Sequence, residues 1–176
     1  MFAVILMMGV SVAMAQKDVK AIGLNLIYGS EIKNIGIGAK FQYGLTDAFR
    51  VEPSLNYYLK KDGFTQYDIN VNAHYLIDAG EGLKVYPLVG VGLMTWKNEW
   101  IGIEVPVSKE LGYIPSRSGH DIKMDVSLKS TELIINVGVG AEYEINEMVS
   151  VGAELKYQII DNFNQLVFGI GATYRF

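Results

Sequence analysis

The last twelve residues run Gln165-Leu166-Val167-Phe168-Gly169-Ile170-Gly171-Ala172-Thr173-Tyr174-Arg175-Phe176. Leu166, Phe168, Ile170, Ala172, Tyr174 and Phe176 form one apolar column at every second position. Small and polar residues stand between most of them. A period of two is a β-strand with one greasy face. Phe176 is therefore expected to belong to the sheet. The same alternation recurs along the chain and predicts strands over roughly 20–29, 34–44, 49–60, 67–77, 83–96, 131–145, 149–160 and 165–176. Eight alternating strands of this length predict a closed barrel standing in lipid.

The apolar columns are regular. Ile22, Leu24, Leu26 and Tyr28 make one; Leu133, Ile135, Val137, Val139, Ala141 and Tyr143 make another. Pro53 and Pro87 interrupt the pattern, because proline cannot donate to a ladder, and both fall toward the start of their strands. Connections alternate in length. Leu45–Ala48, Asp78–Gly82 and Asn146–Met148 are short. Ser30–Lys33, Lys61–Gln66, Lys97–Ser130 and Asp161–Asn164 lie at the other end. Outer-membrane barrels show short periplasmic turns and longer extracellular loops.

The second column carries Lys40, Gln42, Arg50, Glu52, Asn56, Asp68, His74, Lys84, Asn136, Glu142, Glu154, Lys156 and Arg175. In a water-soluble barrel of the lipocalin kind this column faces solvent and the apolar one lines a cavity. The aromatics favour lipid instead. Tyr43, Phe49, Tyr75, Tyr143, Tyr174 and Phe176 fall at the predicted periplasmic strand ends. Tyr28, Tyr57, Tyr157 and, with the other parity, Trp96 fall near the opposite ends. Two aromatic belts mark two lipid–water interfaces.

The N-terminus agrees with export. Met1 to Gln16 holds no charge and contains Ala13-Met14-Ala15, so residues 1–15 are expected to be a signal peptide and 16–176 the barrel. The chain has no cysteine, hence no disulfide. A net charge of −4 gives no footprint for nucleic acid.

With the signal segment, the strands and the terminal Tyr174-Arg175-Phe176, the chain resembles the small eight-stranded outer-membrane barrels of the outer-membrane protein A and X type. The resemblance covers nearly all of residues 16–176. It implies an all-β, antiparallel, up-and-down transmembrane barrel in the bacterial outer membrane. It also implies that Tyr174 and Phe176 are the signal read by the barrel-assembly machinery. Members of that superfamily include anchors, adhesins and lipid enzymes, so the resemblance leaves activity open.

No cofactor, metal or catalytic site is expected. His74 points inward near the periplasmic end and reads as a hydrogen-bonded lumen histidine. His120, in Ser116-Arg117-Ser118-Gly119-His120-Asp121, has the residue types of a triad without evidence of its geometry. The glycine pairs Gly36/Gly38, Gly90/Gly92, Gly138/Gly140 and Gly169/Gly171 precede no helix and read as packing features. The inward charges of both signs are expected to neutralise one another. Lys40, Arg50, Glu52, Lys84, Glu142, Glu154 and Arg175 are expected to form one ion network in the lower lumen. The expected role is therefore a non-enzymatic envelope-structural or surface-interaction protein, among outer-membrane lipids. A narrow channel is the alternative, and a lipid-modifying enzyme ranks below it. The long loop 97–130 is the expected place for an extracellular partner. Ile101, Ile103, Val105 and Val107 alternate on one flank; Ile122, Met124, Val126 and Leu128 alternate on the other. This predicts a projecting hairpin. Because the second run is even-numbered and Leu133 and Ile135 are odd, a β-bulge is expected near 129–132.

Overall fold

A computed structural model describes residues 18–61, 64–99, 127–161 and 163–176 of the chain. The signal segment expected at 1–15 and the middle of the long loop, 100–126, lie outside the described residues. Nine segments form one antiparallel sheet: β1 (Lys20–Gly29), β2 (Asn34–Gly44), β3 (Phe49–Lys61), β4 (Phe64–Tyr75), β5 (Ile77–Gly80), β6 (Leu83–Glu99), β7 (Ser127–Glu144), β8 (Val149–Ile160) and β9 (Phe163–Arg175). Neighbours in sequence pair with one another except β4 and β5, β1 pairs with β9 and β4 with β6, so the sheet closes. Both β4 and β5 lie against β6 and together make one wall position. The barrel is thus eight-stranded. Phe176 donates its backbone N–H to Lys20 O at 3.0 Å, which ties the chain end into the seam.

The division of the fourth strand follows from Pro87. The β4–β6 ladder runs to His74↔Leu88 and resumes at Ile77↔Val85, skipping the pair opposite Pro87. On its other side Pro87 keeps its place against Val139. The missing N–H therefore faces β4, and that ladder alone breaks. Pro53 repeats the arrangement. It stays in register with Val71 of β4, while the β2–β3 ladder jumps from Lys40↔Ser54 to Tyr43↔Val51. Each proline opens one seam by two pairs without shifting the register.

Two of the short turns share one device. Thr46 Oγ1 accepts from the N–H groups of Ala48 and Phe49 at 3.3 and 3.0 Å, and Asn146 Oδ1 accepts from Met148 and Val149 at 2.9 and 2.8 Å. A side-chain acceptor thus ties the turn's backbone where no ladder partner is left. The third turn bends through left-handed backbone at Gly80, Glu81 and Gly82, with φ of 85°, 55° and 79°.

The parity reading holds throughout the described strands. The apolar column faces outward on every one, with Leu24 72% and Val139 58% exposed. A continuous apolar belt of this kind has no place in water and is the surface a barrel offers to hydrocarbon. Phe49 and Tyr75 pack at 5.1 Å in the periplasmic belt. Trp96 departs from the expected extracellular belt. It is half-buried and meets Phe163 edge-on at 5.6 Å, on the inward column.

The β6–β7 strands continue into the loop 97–130, as expected of a projecting hairpin, and among the described residues their ladder is unbroken from Leu83↔Tyr143 to Glu99↔Ser127. No bulge interrupts it, which corrects the expectation for 129–132. Leu128 pairs with Asn98 on the even-numbered column. The column that is apolar changes instead of the register. Met94 and Ile134, both even, are already fully buried inside the upper lumen. A strand leaving hydrocarbon no longer needs an apolar outer face.

The inward glycines make room for large neighbours. A Cβ on Gly140 would lie 2.4 Å from the Tyr86 ring, whereas one on Gly169 would meet nothing nearer than Ile27 Cγ2 at 3.4 Å. Gly140→Ala is therefore expected to destabilise the barrel by about 1–3 kcal/mol through overpacking. Gly169→Ala should stay within about 0.5 kcal/mol. Urea unfolding of both variants in vesicles measures the difference; equal effects would mean that Tyr86 moves aside freely.

Candidate functional site

The inward columns bring polar side chains into a space an eight-stranded barrel can fill. They arrange themselves in three levels. The lowest, nearest the periplasmic turns, holds the ions. Arg50 sits at the bottom of β3 and donates Nη1 to Glu142 of β7 at 2.8 Å. Arg175 of β9 lies 3.7 Å from Glu142 and 2.5 Å from Glu144. Lys84 of β6 also bonds Glu144. On the other side of the lumen Lys40 lies between Glu52 and Glu154, at 3.4 and 3.1 Å, and Lys156 reaches Glu154 at 3.6 Å.

The residues singled out from sequence thus fall into two ionic groups. Lys84, Glu142, Arg50 and Arg175 share one; Lys40, Glu52 and Glu154 share the other. Neutral side chains join them. Gln42 accepts from Arg50 at 3.1 Å and donates to Glu52 at 2.8 Å. Tyr86 donates its hydroxyl to Glu154 at 2.9 Å while its ring lies 5.0 Å from the Arg50 guanidinium. His74 stacks on Tyr86 at 4.7 Å and accepts at Nδ1 from Arg50. Parity places Gln42, Tyr86 and His74 inside, but only spatial proximity shows that they connect the ions.

Glu52, His74 and Glu154 hold ligand-capable atoms within 4.8 Å of one another. Their chemistry is that of the ion network and does not fit a metal centre. Lys40 already bonds both carboxylates. Arg50 presents its Nε and Nη2 to His74 Nδ1 at 3.3 and 3.1 Å, so Nδ1 is the acceptor and Nε2 carries the hydrogen. A nitrogen in that state offers no lone pair to an ion. His74 is also fully enclosed, at 0% exposure, so no substrate meets it. His120 lies outside the described residues.

Above the ions lies a level of amides. Gln165 donates to Gln158 at 2.7 Å, Gln158 to Asn136 at 3.2 Å, and Asn136 to Asn70 at 2.9 Å. Asn70 in turn donates to Asp68, which also accepts from Asn56 at 2.7 Å. Every step runs the same way, from β9 around the wall to one buried carboxylate. Such aligned chains polarise one another. The top level is apolar: Met94, Ile134 and Ile160 pack with Trp96 and Phe163, and Ile27, Tyr58 and Val167 pack beneath Ile32. An internal void beside Lys40, Glu154 and Lys156 has a volume of about 10 Å³, space for about one water molecule.

Removing one partner of a buried pair leaves the other unpaired. Arg50→Ala is expected to cost about 3–5 kcal/mol, and Arg50→Ala with Glu142→Ala less than the two changes summed. Lys84→Ala should cost about 1 kcal/mol or less, because Glu144 is partly exposed and keeps Arg175 at 2.5 Å. Denaturant unfolding of the refolded barrel measures each. A cost near zero for Arg50→Ala would mean independently solvated charges.

Comparison with known proteins fits this architecture. The N-terminal β-barrel domain of Pseudomonas aeruginosa OprF superposes with a TM-score of 0.62 at 18% identity, covering 91% of this chain and 98% of that one. Neisserial surface protein A gives 0.64 at 14% identity, covering 90% and 96%. The attachment invasion locus protein Ail of Yersinia pestis gives 0.58 at 15%, covering 90% and 97%. At these identities the likeness concerns the fold. No curated protein matches. The sequence itself matches the outer membrane protein β-barrel domain over residues 2–176, and the chain belongs to that family of transmembrane barrels.

Proposed function

We propose that this chain is a non-enzymatic, non-conducting anchor in the bacterial outer membrane, which carries an extracellular hairpin and mouth as its interacting parts. The observation that carries this reading is the three-level filling of the lumen. Ions, amides and an apolar cap follow one another along the barrel axis, and each level is bonded across it. A path for solute would have to break all three. The outward apolar face supports membrane lipids as the barrel's constant partner.

The hairpin supports a surface role. The β7–β8 ladder ends at Ile134↔Ile160, whereas β7 begins at Ser127. Among the described residues, the β7–β8 ladder stops at Ile134 while β7 stays in register with β6 as far as Ser127. A strand edge of that kind is a place where another extended segment adds to a sheet. Tyr174 and Phe176, at the closing seam, support recognition by the assembly machinery. Phe176 is 66% exposed on the outer face, available to be read during insertion.

Planar-bilayer recording of the refolded protein tests the central claim. No sustained conductance is expected; stable channel openings would overturn it in favour of a pore. Replacing residues 100–126 by a short turn should leave a barrel whose mobility in a denaturing gel still changes on boiling. Loss of that change would assign the segment to the barrel fold. Phe176→Ala should lower the folded amount in cells while the purified variant still refolds in detergent. Unchanged cellular levels would remove the assembly role.

A further inference from the structure

We propose that the extracellular mouth holds a binding site for a small organic cation with a quaternary ammonium head. Phe64 at the start of β4, Trp96 in the upper part of β6 and Phe163 at the start of β9 line a cavity of about 380 Å³ above the apolar cap. That volume lies at the lower end of the range for small-molecule sites. Lipid contact does not account for these rings. Phe64 and Trp96 share the even-numbered column with Gln66, Asp68 and Met94, which turns away from hydrocarbon. Trp96 and Phe163 stand at 69° to each other, so the two rings make a corner.

The chemistry of the wall selects the ligand. Aromatic faces carry negative partial charge and attract cations, tryptophan most strongly. Among the described residues lining the cavity Glu31 is the one charged side chain, and it adds a full negative charge at the rim. Asn34 commits one amide N–H to Leu59 O at 2.5 Å, and Gln66 one to Met94 Sδ at 2.8 Å. Three of the seven described lining residues, Phe64, Trp96 and Phe163, present rings. A quaternary ammonium is weakly hydrated and has no N–H to satisfy. Ring faces and one nearby carboxylate suit it.

The test uses the full chain refolded in a neutral sugar detergent, with Trp100→Phe so that Trp96 is the only tryptophan. Choline chloride is titrated while Trp96 emission is recorded, against sodium chloride at equal ionic strength. The neutral isostere 3,3-dimethylbutan-1-ol is titrated in parallel. A saturable change with choline in the millimolar range is expected, with the isostere about fivefold weaker or more. Glu31→Gln and Phe163→Leu should each weaken choline about threefold, in barrels whose boiling-dependent gel mobility is unchanged. Absence of saturation, equal response to the neutral isostere, or indifference to both substitutions would overturn the proposal. The comparison of choline with its isostere needs neither substitution, so it decides the matter if a variant fails to fold.

Discussion

Everything in this molecule follows from the backbone having no water to bond in hydrocarbon. Each N–H and C=O within the membrane must find a partner in the sheet, and a sheet without edges is a closed one. Closure turns the alternation of each strand into an inside and an outside. The outside must be apolar, so polar residues collect inside, the reverse of a soluble domain. The two prolines show how strict the rule is. Pro53 and Pro87 each remove one donor, and each opens one ladder while the opposite side of the same strand stays paired. The barrel tolerates such a gap because the register on both sides of it is unchanged.

A polar interior then has to satisfy itself. Charges taken out of water are destabilising unless each meets an opposite charge and its remaining hydrogen-bonding capacity is used. The ion level pairs its charges by dividing the work. Carboxylates on β3, β7 and β8 face cations on β2, β3, β6, β8 and β9, and Gln42, Tyr86 and His74 fill the directions that ions alone would leave open. The amide level links its side chains without charge, except at Asp68, where donors from Asn56 and Asn70 converge. Glycines are the counterpart of these large side chains. Tyr86 lies where Gly140 leaves space, and Asn72 where Gly90 does.

The strand spans and the facing of each residue could be read from sequence because both depend on local alternation alone. Gln165 to Phe176 shows its inner and outer residues without any knowledge of what surrounds them. Pairing could not be read in the same way. Arg50 and Glu142 are far apart in sequence, and which carboxylate an inward arginine reaches depends on strand tilt and on the glycines opposite. Lys156 and Glu144 are inward by parity like the residues assigned to the network, yet nothing in their neighbourhood marks them as members. The expected bulge at 129–132 failed for a related reason. Alternation reports which residues are apolar, and a switch of the apolar face looks in sequence like a shift of register. Met94 and Ile134 show the apolar residues moving to the inner face as the hairpin rises out of the membrane.

The two ends of the lumen are closed by different physics, and this has consequences for where the molecule can change. The periplasmic end is held by ion pairs that couple residues from most strands, so substituting one member disturbs several. The extracellular end is closed by packing among Met94, Ile134, Ile160, Trp96 and Phe163, contacts that are short-ranged and tolerate substitution of similar volume. Above that cap the strands no longer face lipid, and the rule that dictated their outer residues lapses. Sequence there is free to serve recognition. The mouth of Phe64, Trp96 and Glu31 and the part of β7 that runs beyond its ladder with β8 among the described residues both lie in this zone, beyond the reach of the constraint that shaped the rest of the barrel.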